Sequence, residues 1–518
     1  MIKNKQSSSK KKKANILQDS ATVQMDYHYC ETNHIEEGLH YLGEYTHRDT
    51  QFFLSMTQKF TLLISFITVL VVIFAFYEQA MLSMLFIGSM LHFILSIMKH
   101  HLFFSKLQAK FSKLRDKYLK NTLYEYNDRQ ADTDEQLPQY SILLPIFMEE
   151  KNVIEQLLLA MKKLDYPKEQ MKVLIVLESI DIKTIQNIRA MKIDSNYQLI
   201  IVPDFAPRTK AKACNYAMQY VQGDYLVIYD TDDIPAPDQL RVAMMKFKES
   251  TDAQLACLQA KLNYYNADEN LLTRLFSLEY AILFDKILPA LAQAGSPLPL
   301  GGTSNHFKVD VLKKLHGWDI YNLAEDAEIG MRLAINGYKT DTIDSYTAEE
   351  APITVLAWIK QRSRWLKGFI QTYFLYMQKK HNLTESVGGR NSFMSLHFML
   401  GLSTLSLILT PLMIIAGISL QYVDKTIDIH YYNSSITFTC IISTFWIISS
   451  FLQSYKTLKT SPFLNTLSKF KQLICLVMFP LYFTLHTVAA FYAVIDIVRR
   501  PFYWSRTQHG LTKKKHSF

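Results

Sequence analysis

Two aspartates set two residues apart, at the end of an apolar run, are the part of this sequence best suited to chemistry. The run Tyr225-Leu-Val-Ile-Tyr ends in Asp230-Thr-Asp232-Asp233, then Ile-Pro235. An apolar, β-branched stretch of this kind predicts a buried strand of a parallel sheet. Open α/β sheets bind ligands just beyond the carboxyl ends of such strands. If the strand breaks there, Asp230 and Asp232 can share one hard divalent cation, Mg²⁺ or Mn²⁺, and so join carboxylate to diphosphate. Taken alone, the same residues also suit a strand followed by an acidic turn. Further candidates are spread along the chain. Glu149 follows an apolar strand-like run, Glu178 closes a second, and Lys212 opens a helical stretch. Gly301-Gly302-Thr303-Ser304 pairs glycines with small polar groups, which permits close backbone approach to a ligand. Glu325-Asp326 opens another helix, and Gln361, Arg364 and Trp365 share a basic, aromatic helix over 358–376.

The elements that must hold these residues alternate. Strands are predicted at 141–145, 172–177 and 199–202. A helix carries Val153, Ile154, Leu157, Leu158 and Met161 on one face, and another covers 212–220. Asp238 is expected to cap a helix running through Met245, with a strand at 257–262 and a helical stretch at 271–293. A helix over 327–336 ends at Gly337. Strand–helix alternation of this kind argues for a doubly wound α/β domain. No GxGxxG and no GxxxxGK[ST] occurs, so neither a dinucleotide fold nor a P-loop is expected.

Long apolar runs flank that middle. Residues 60–77 and 81–98 each give about 18 residues, enough to cross a hydrocarbon core, and the short polar break between them makes a hairpin. Leu102, Phe103, Leu107, Phe111 and Leu114 recur at helical spacing among lysines, as in a helix lying on an anionic membrane surface. Residues 393–420, 436–452 and 473–498 are three further candidate spans. The 518 residues carry a net charge of +9, with lysines clustered beside the apolar runs. No basic strip interleaved with aromatics appears, so a nucleic-acid partner is not expected, and the basic clusters read as membrane-side charge. Positive-inside bias places the N-terminus and the central region in the cytoplasm. It also meets a difficulty: three C-terminal spans would put Arg499, Arg500 and the lysine tail outside. Either 469–498 is re-entrant or split at Pro480, or one segment lies in the interface. Five scattered cysteines disfavour a disulfide framework or zinc site. His28, Cys30 and His34 match no standard metal spacing, and the polar, basic N-terminus is too long for a cleavable signal.

In order along the chain, Arg208-Thr-Lys-Ala-Lys212-Ala-Cys-Asn215, the Asp230/Asp232 pair, Gly301-Gly-Thr-Ser-Asn-His-Phe307, Glu325-Asp326, Gln361-Arg-Ser-Arg364-Trp365 and Arg499-Arg-Pro-Phe-Tyr-Trp504…His509-Gly510 form a pattern. From about 139 to 376 the chain resembles the membrane-embedded processive glycosyltransferases of family 2, the cellulose, hyaluronan and poly-N-acetylglucosamine synthases. It is closest to bacterial β-glucan and exopolysaccharide synthases. The resemblance implies a GT-A-type, Rossmann-like α/β domain inserted between membrane helices. It implies Asp230 and Asp232 as metal ligands with Mg²⁺ or Mn²⁺, and Glu149, Glu178, Lys212, Asp230 and Arg364 on the nucleotide sugar. It further implies Asp326 as catalytic base beside Glu325, with Gln361, Trp365, Thr303 and Ser304 on the acceptor. Ala324 departs from the family, where a threonine is usual before the Glu-Asp pair. Glu178 as a loop cap and Lys212 as a solvated helix lysine stay open as plainer readings.

Acceptor attack at a sugar carbon needs a base for the hydroxyl proton and neutralisation of the departing diphosphate, and these residue types supply both. The expected organisation is a basic N-terminus over 1–55, a membrane hairpin over 56–100 and an interfacial linker over 101–137. The catalytic domain follows over 138–378, then interfacial and membrane helices over 379–498 and a basic tail over 499–518. The expected activity is inverting, metal-dependent transfer from a nucleotide sugar, UDP-glucose first, to a β-linked polysaccharide that is then exported, with export subunits as further partners. The alternative is a non-processive enzyme acting on diacylglycerol or a polyprenyl phosphate. The expected location is the cytoplasmic membrane, multi-pass.

Overall fold

The computed structural model describes residues 50, 53–105, 137–378, 389–422, 429–504 and 510–512. The N-terminal metal reading, most of the 101–137 linker and the final lysines lie outside them. Two helices come first, Met56–Ala75 (α1) and Tyr77–Phe104 (α2). Ser55 caps α1, its hydroxyl accepting from Gln58 N while the Gln58 side chain accepts from Ser55 N. No residue of α1 is buried although it is apolar all round, which is the pattern of a helix meant for lipid.

Residues 137–378 build one mixed sheet. Four strands come first in the chain, β1 (Tyr140–Ile146), β2 (Met171–Glu178), β3 (Tyr197–Val202) and β4 (Tyr225–Ile228), separated by α3 (Lys151–Lys162), α4 (Ile182–Arg189) and α5 (Lys210–Ala217). They pair in parallel in the order β3-β2-β1-β4. Helices on both faces explain why β1 and β2 are buried almost throughout. The second half adds β5 (Ile234–Pro235), α6 (Gln239–Glu249), β6 (Leu255–Tyr264), α7 (Leu271–Ile282), α8 (Leu288–Gln293), β7 (Asn305–Lys308), α9 (Val309–Lys314), α10 (Glu325–Ile335), β8 (Lys339–Glu349) and α11 (Val355–Gln378). β7 joins antiparallel to β4 and β6, and β8 lies parallel to β6, so the full order is β3-β2-β1-β4-β7-β6-β8-β5.

This is the expected Rossmann-like GT-A core with flanking helices. A π-helical turn, Leu283–Ile287, interrupts the helical stretch expected over 271–293. Asp238 precedes α6 but makes no side-chain cap hydrogen bond, contrary to expectation, because it sits in right-handed helical rather than extended backbone. A buried polar network ties the sheet beneath the site. Tyr140 Oη hydrogen bonds with His306 Nδ1 at 2.6 Å, and Gln239 links His306, Tyr229 and Thr347.

After the domain come α12 (Gly389–Ser395), α13 (Ser403–Ser419), α14 (Ile429–Thr460) and α15 (Lys469–Arg499), the last unbroken through Pro480. Among the described residues, five helices are long and apolar enough to cross a membrane: α1, α2, the stretch Gly389–Ser419, α14 and α15. α2 and α14 run side by side in the same direction. Phe86 stacks on Phe438, Phe93 meets Phe445, and His100 Nδ1 hydrogen bonds with Ser449 Oγ at 2.9 Å. α13 runs against them, joined by His92 Nε2 and Thr410 Oγ1 at 3.0 Å.

Candidate active site

β1, β2 and β4 are parallel, so their carboxyl ends open on one cleft. Into it point Glu149, Glu178, Lys210, Asp230, Asp232, Thr303, Glu325, Asp326, Glu349, Glu350, Gln361, Arg364, Trp365 and Trp504. A shallower depression of about 750 Å³ lies at the opposite edge, where β1–β3 begin, and holds none of these acidic candidates.

β4 stops at Ile228, and the chain turns on a tight hydrogen-bond set. Asp233 Oδ2 accepts from Asp230 N at 2.6 Å and lies against Thr303 Oγ1, whose single hydroxyl hydrogen is shared between Asp233 and Ile228 O, the latter at 3.0 Å. Asp232 Oδ2 accepts from Glu350 N at 2.8 Å, which fastens the aspartate turn to the end of β8. Lys210 Nζ forms an ion pair with Asp230 and donates to Gly302 O at 2.5 Å. Lys212 lies elsewhere. Its ammonium is buried against Glu178 at 2.8 Å and donates to Phe205 O. Burial pushes the Glu178 carboxyl up and the Lys212 ammonium down, each partly offset by the other's charge.

Gly302 runs between the carboxylates. A Cβ there would stand 3.3 Å from Asp326 Oδ2 and 3.9 Å from Asp230 Oδ2. Glu325 and Asp326 form the first turn of α10, one residue after Ala324, whose side chain supplies no cap. Asp326 is pushed up to about 7, by burial first and by the Glu325 charge second. Burial raises Glu325 as well, against the pull of Lys210. Gly368 of α11 packs so closely on Ala324 that a Cβ would come within 2.5 Å of it, and this contact brings Gln361, Arg364 and Trp365 to the cleft. Arg364 Nε and Gln361 Oε1 are buried without hydrogen-bond partners, so both have unused capacity toward a ligand. The Trp365 ring lies 6.2 Å from those of Tyr280 and Phe276.

Of the residues expected at the site, Lys212 and Ser304 turn into the protein and do not line the cleft; for Ser304 the backbone explains it. Ser304 is buried at φ 57° and its hydroxyl pairs with Thr347 Oγ1 at 2.6 Å. Thr303 lines the cleft while bracing Asp233. Sequence reasoning missed Lys210, Glu349 and Glu350, and took Trp504 only as part of a terminal motif. The signal for the two glutamates was present, since a run rich in Thr, Ile and Tyr ends in Glu349 with Glu350 just beyond it.

Carboxylates outnumber cations here. Burial and the neighbouring Asp230 and Asp232 hold Asp233 well above the usual carboxylate range, and burial with the same three aspartates does so for Glu349. Asp233 Oδ1 and Glu349 Oε1 are buried without partners. Hard oxygen donors left over in a negative pocket fit a divalent cation. Among the described residues no three His, Cys, Asp or Glu side chains are grouped as a metal site. That fits an ion held by one or two carboxylates and completed by substrate phosphates.

The chain is similar to several known proteins. The solved mannosyltransferase PcManGT of Pyrobaculum calidifontis, in complex with GDP-Man and Mn²⁺, is similar at a TM-score of 0.48 and 17% identity, covering 79% of this chain and 99% of that one. S. aureus TarS 1-349 in complex with UDP-GlcNAc gives 0.33 and 15%, covering 71% and 93%. The probable glycosyltransferase YdaM of Bacillus subtilis (strain 168) is 30% identical over 260 residues, 47% of this chain and 60% of that protein, so the chain spans less than two thirds of that relative. The model of Glycosyl transferase family 2 matches residues 141–300. Since the model of Glycosyl transferase family group 2 matches residues 225–493, more than half of the chain, the protein belongs to that family.

Proposed function

We propose that the protein is an inverting, metal-dependent membrane β-glycosyltransferase that extends a polysaccharide from a nucleotide sugar, with UDP-glucose as the expected donor. The observation that carries this reading is the position of Gly302. Asp326 and Asp230 both border the space over its Cα, so a base and a diphosphate-side carboxylate face the same small volume. A sugar ring lying on that glycine would present its anomeric carbon to both.

In this reading Asp326 removes the proton of the acceptor hydroxyl, and its pKa near 7 suits a base at neutral pH. Burial first, and the Glu325 charge second, keep that pKa high. Arg364 and Lys210 take charge from the departing diphosphate, the place first expected of Lys212, while the buried Glu178–Lys212 pair shapes the nucleotide side beside Glu149. Asp230 and Asp232 would hold Mg²⁺ or Mn²⁺, which when bound supplies Lewis-acid stabilisation of the leaving diphosphate. A single displacement makes a β linkage from an α-linked donor. Trp365 and Gln361 face the acceptor, the ring offering a flat apolar surface to a sugar.

The test uses the full chain in lipid vesicles with UDP-glucose, UDP-N-acetylglucosamine and GDP-mannose offered separately. Diphosphate release with one donor, stopped by EDTA, and radiolabel in an ethanol-insoluble product digested by a β-glucanase are expected. Label confined to the organic phase would replace this reading with a glycolipid synthase.

A further inference from the structure

We infer that α15 does not cross the membrane but lies along its cytoplasmic surface, with one face on the catalytic domain and the other in the inner leaflet. α15 has 31 residues, about 46 Å of helix, enough for a span by length alone. Its contacts decide otherwise. Near its start, Lys471 Nζ pairs with Asp268 at 2.7 Å, just before α7. In its middle, Tyr482 and His486 reach Glu279 of α7, and His486 lies against Trp358 of α11. Near its end, Asp496 pairs with Lys367 of α11 at 2.6 Å, and Lys367 also donates to the carbonyls of Arg500 and Tyr503. Both ends and the middle are thus fastened to one domain. A spanning helix of this length would carry one end some 30 Å away across the hydrocarbon core.

The depth of the contacts agrees. Lys456 stands over Phe103 and Phe104, at the domain-side ends of α14 and α2. Phe483 of α15 meets Trp446, next to Phe445, whose ring meets His100 one turn from the domain-side end of α2. The middle of α15 therefore sits at the inner edge of the bundle, not across it.

The face turned from the domain is apolar along the whole helix. Leu473, Val477, Leu481, Val488, Tyr492 and Val498 are all exposed, from 41% to 81%. Lys469 and Lys471 stand at one end of this stripe and Arg499 and Arg500 at the other. A long apolar stripe with cations at both ends, continuous with neighbouring membrane helices, fits the acyl–headgroup boundary of an anionic leaflet. It also removes the charge conflict. With four spans, Arg499, Arg500 and the following lysines stay on the side of the catalytic domain.

This inference rests on the membrane reading of the other helices and not on the donor or product. Its test is depth measurement on the full chain in phosphatidylethanolamine–phosphatidylglycerol vesicles, with Cys30 and Cys440 replaced by serine. Nitroxides at Val477→Cys, Val488→Cys and Val498→Cys are compared by oxygen and nickel accessibility. All three are expected at one shallow depth. A label at 488 near the bilayer centre, with 477 and 498 at opposite surfaces about 30 Å apart, would overturn it. Fusions after Phe518 check the side in cells. A fluorescent GFP with an inactive alkaline phosphatase is expected, and an active phosphatase would also overturn the inference. Neither outcome bears on the donor assay.

Discussion

Asp326 and Glu325 give the sharpest test of the proposed chemistry. The perturbation is Glu325→Gln, which removes the nearest like charge from the proposed base. With Asp326 pushed up to about 7, roughly a tenth of it is ionised at pH 6 and about nine-tenths at pH 8. The kcat/KM profile should therefore fall about tenfold per pH unit below 7. Burial is the larger cause of the shift and stays in the variant. The Glu325 charge is the smaller cause, so the acid limb should move to lower pH without reaching that of an ordinary carboxylate. The assay is diphosphate release under donor-limiting conditions between pH 5 and 9. A stability readout has its own sign. A carboxyl raised in the folded state binds more protons there than in the unfolded chain, so it lowers stability as pH rises from about 4 toward 7. Asp326→Asn removes that loss. Because the cleft admits water, the gain is about 2 kcal/mol rather than the full shift. The variant should melt several degrees higher at pH 8, bind UDP normally and turn over at less than a thousandth of the wild-type rate. A flat profile from pH 5 to 8, or a limb that Glu325→Gln leaves in place, would refute the assignment of Asp326 as base.

The two lysines should separate cleanly. Lys210→Met should raise the donor KM tenfold or more with little loss of melting temperature. Lys212→Met should leave Glu178 buried and unpaired, costing about 3–5 kcal/mol, with recovery in the Lys212→Met/Glu178→Leu double variant; thermal melts and donor titrations read both. Gly302→Ala should fold normally, since its Cβ meets only carboxylate oxygens at 3.3 Å or more, yet lose at least tenfold in kcat by filling the sugar space; equal kcat would remove that space from the reaction.

Much of this protein is written locally. The run into Asp230 declares a strand that ends in carboxylates, because a β-branched apolar stretch has few other stable places. The apolar runs declare helices long enough to cross a membrane, because a helix satisfies its own backbone hydrogen bonds in lipid. What the sequence could not say is which neighbours meet. Lys210 and Lys212 look alike in the chain, but two residues along a helix is about 200° of rotation, so one faces Asp230 and the other is buried on Glu178. Ser304 reads like Thr303 until left-handed backbone turns it inward. Glu349 and Glu350 reach the aspartate turn only because β8 crosses to the far side of β6, a pairing of segments about 80 residues apart. The side of the membrane that holds the end of α15 was likewise undecided by its apolar pattern. Composition sets whether a helix can enter lipid, but ion pairs at both ends to one folded domain set how it lies.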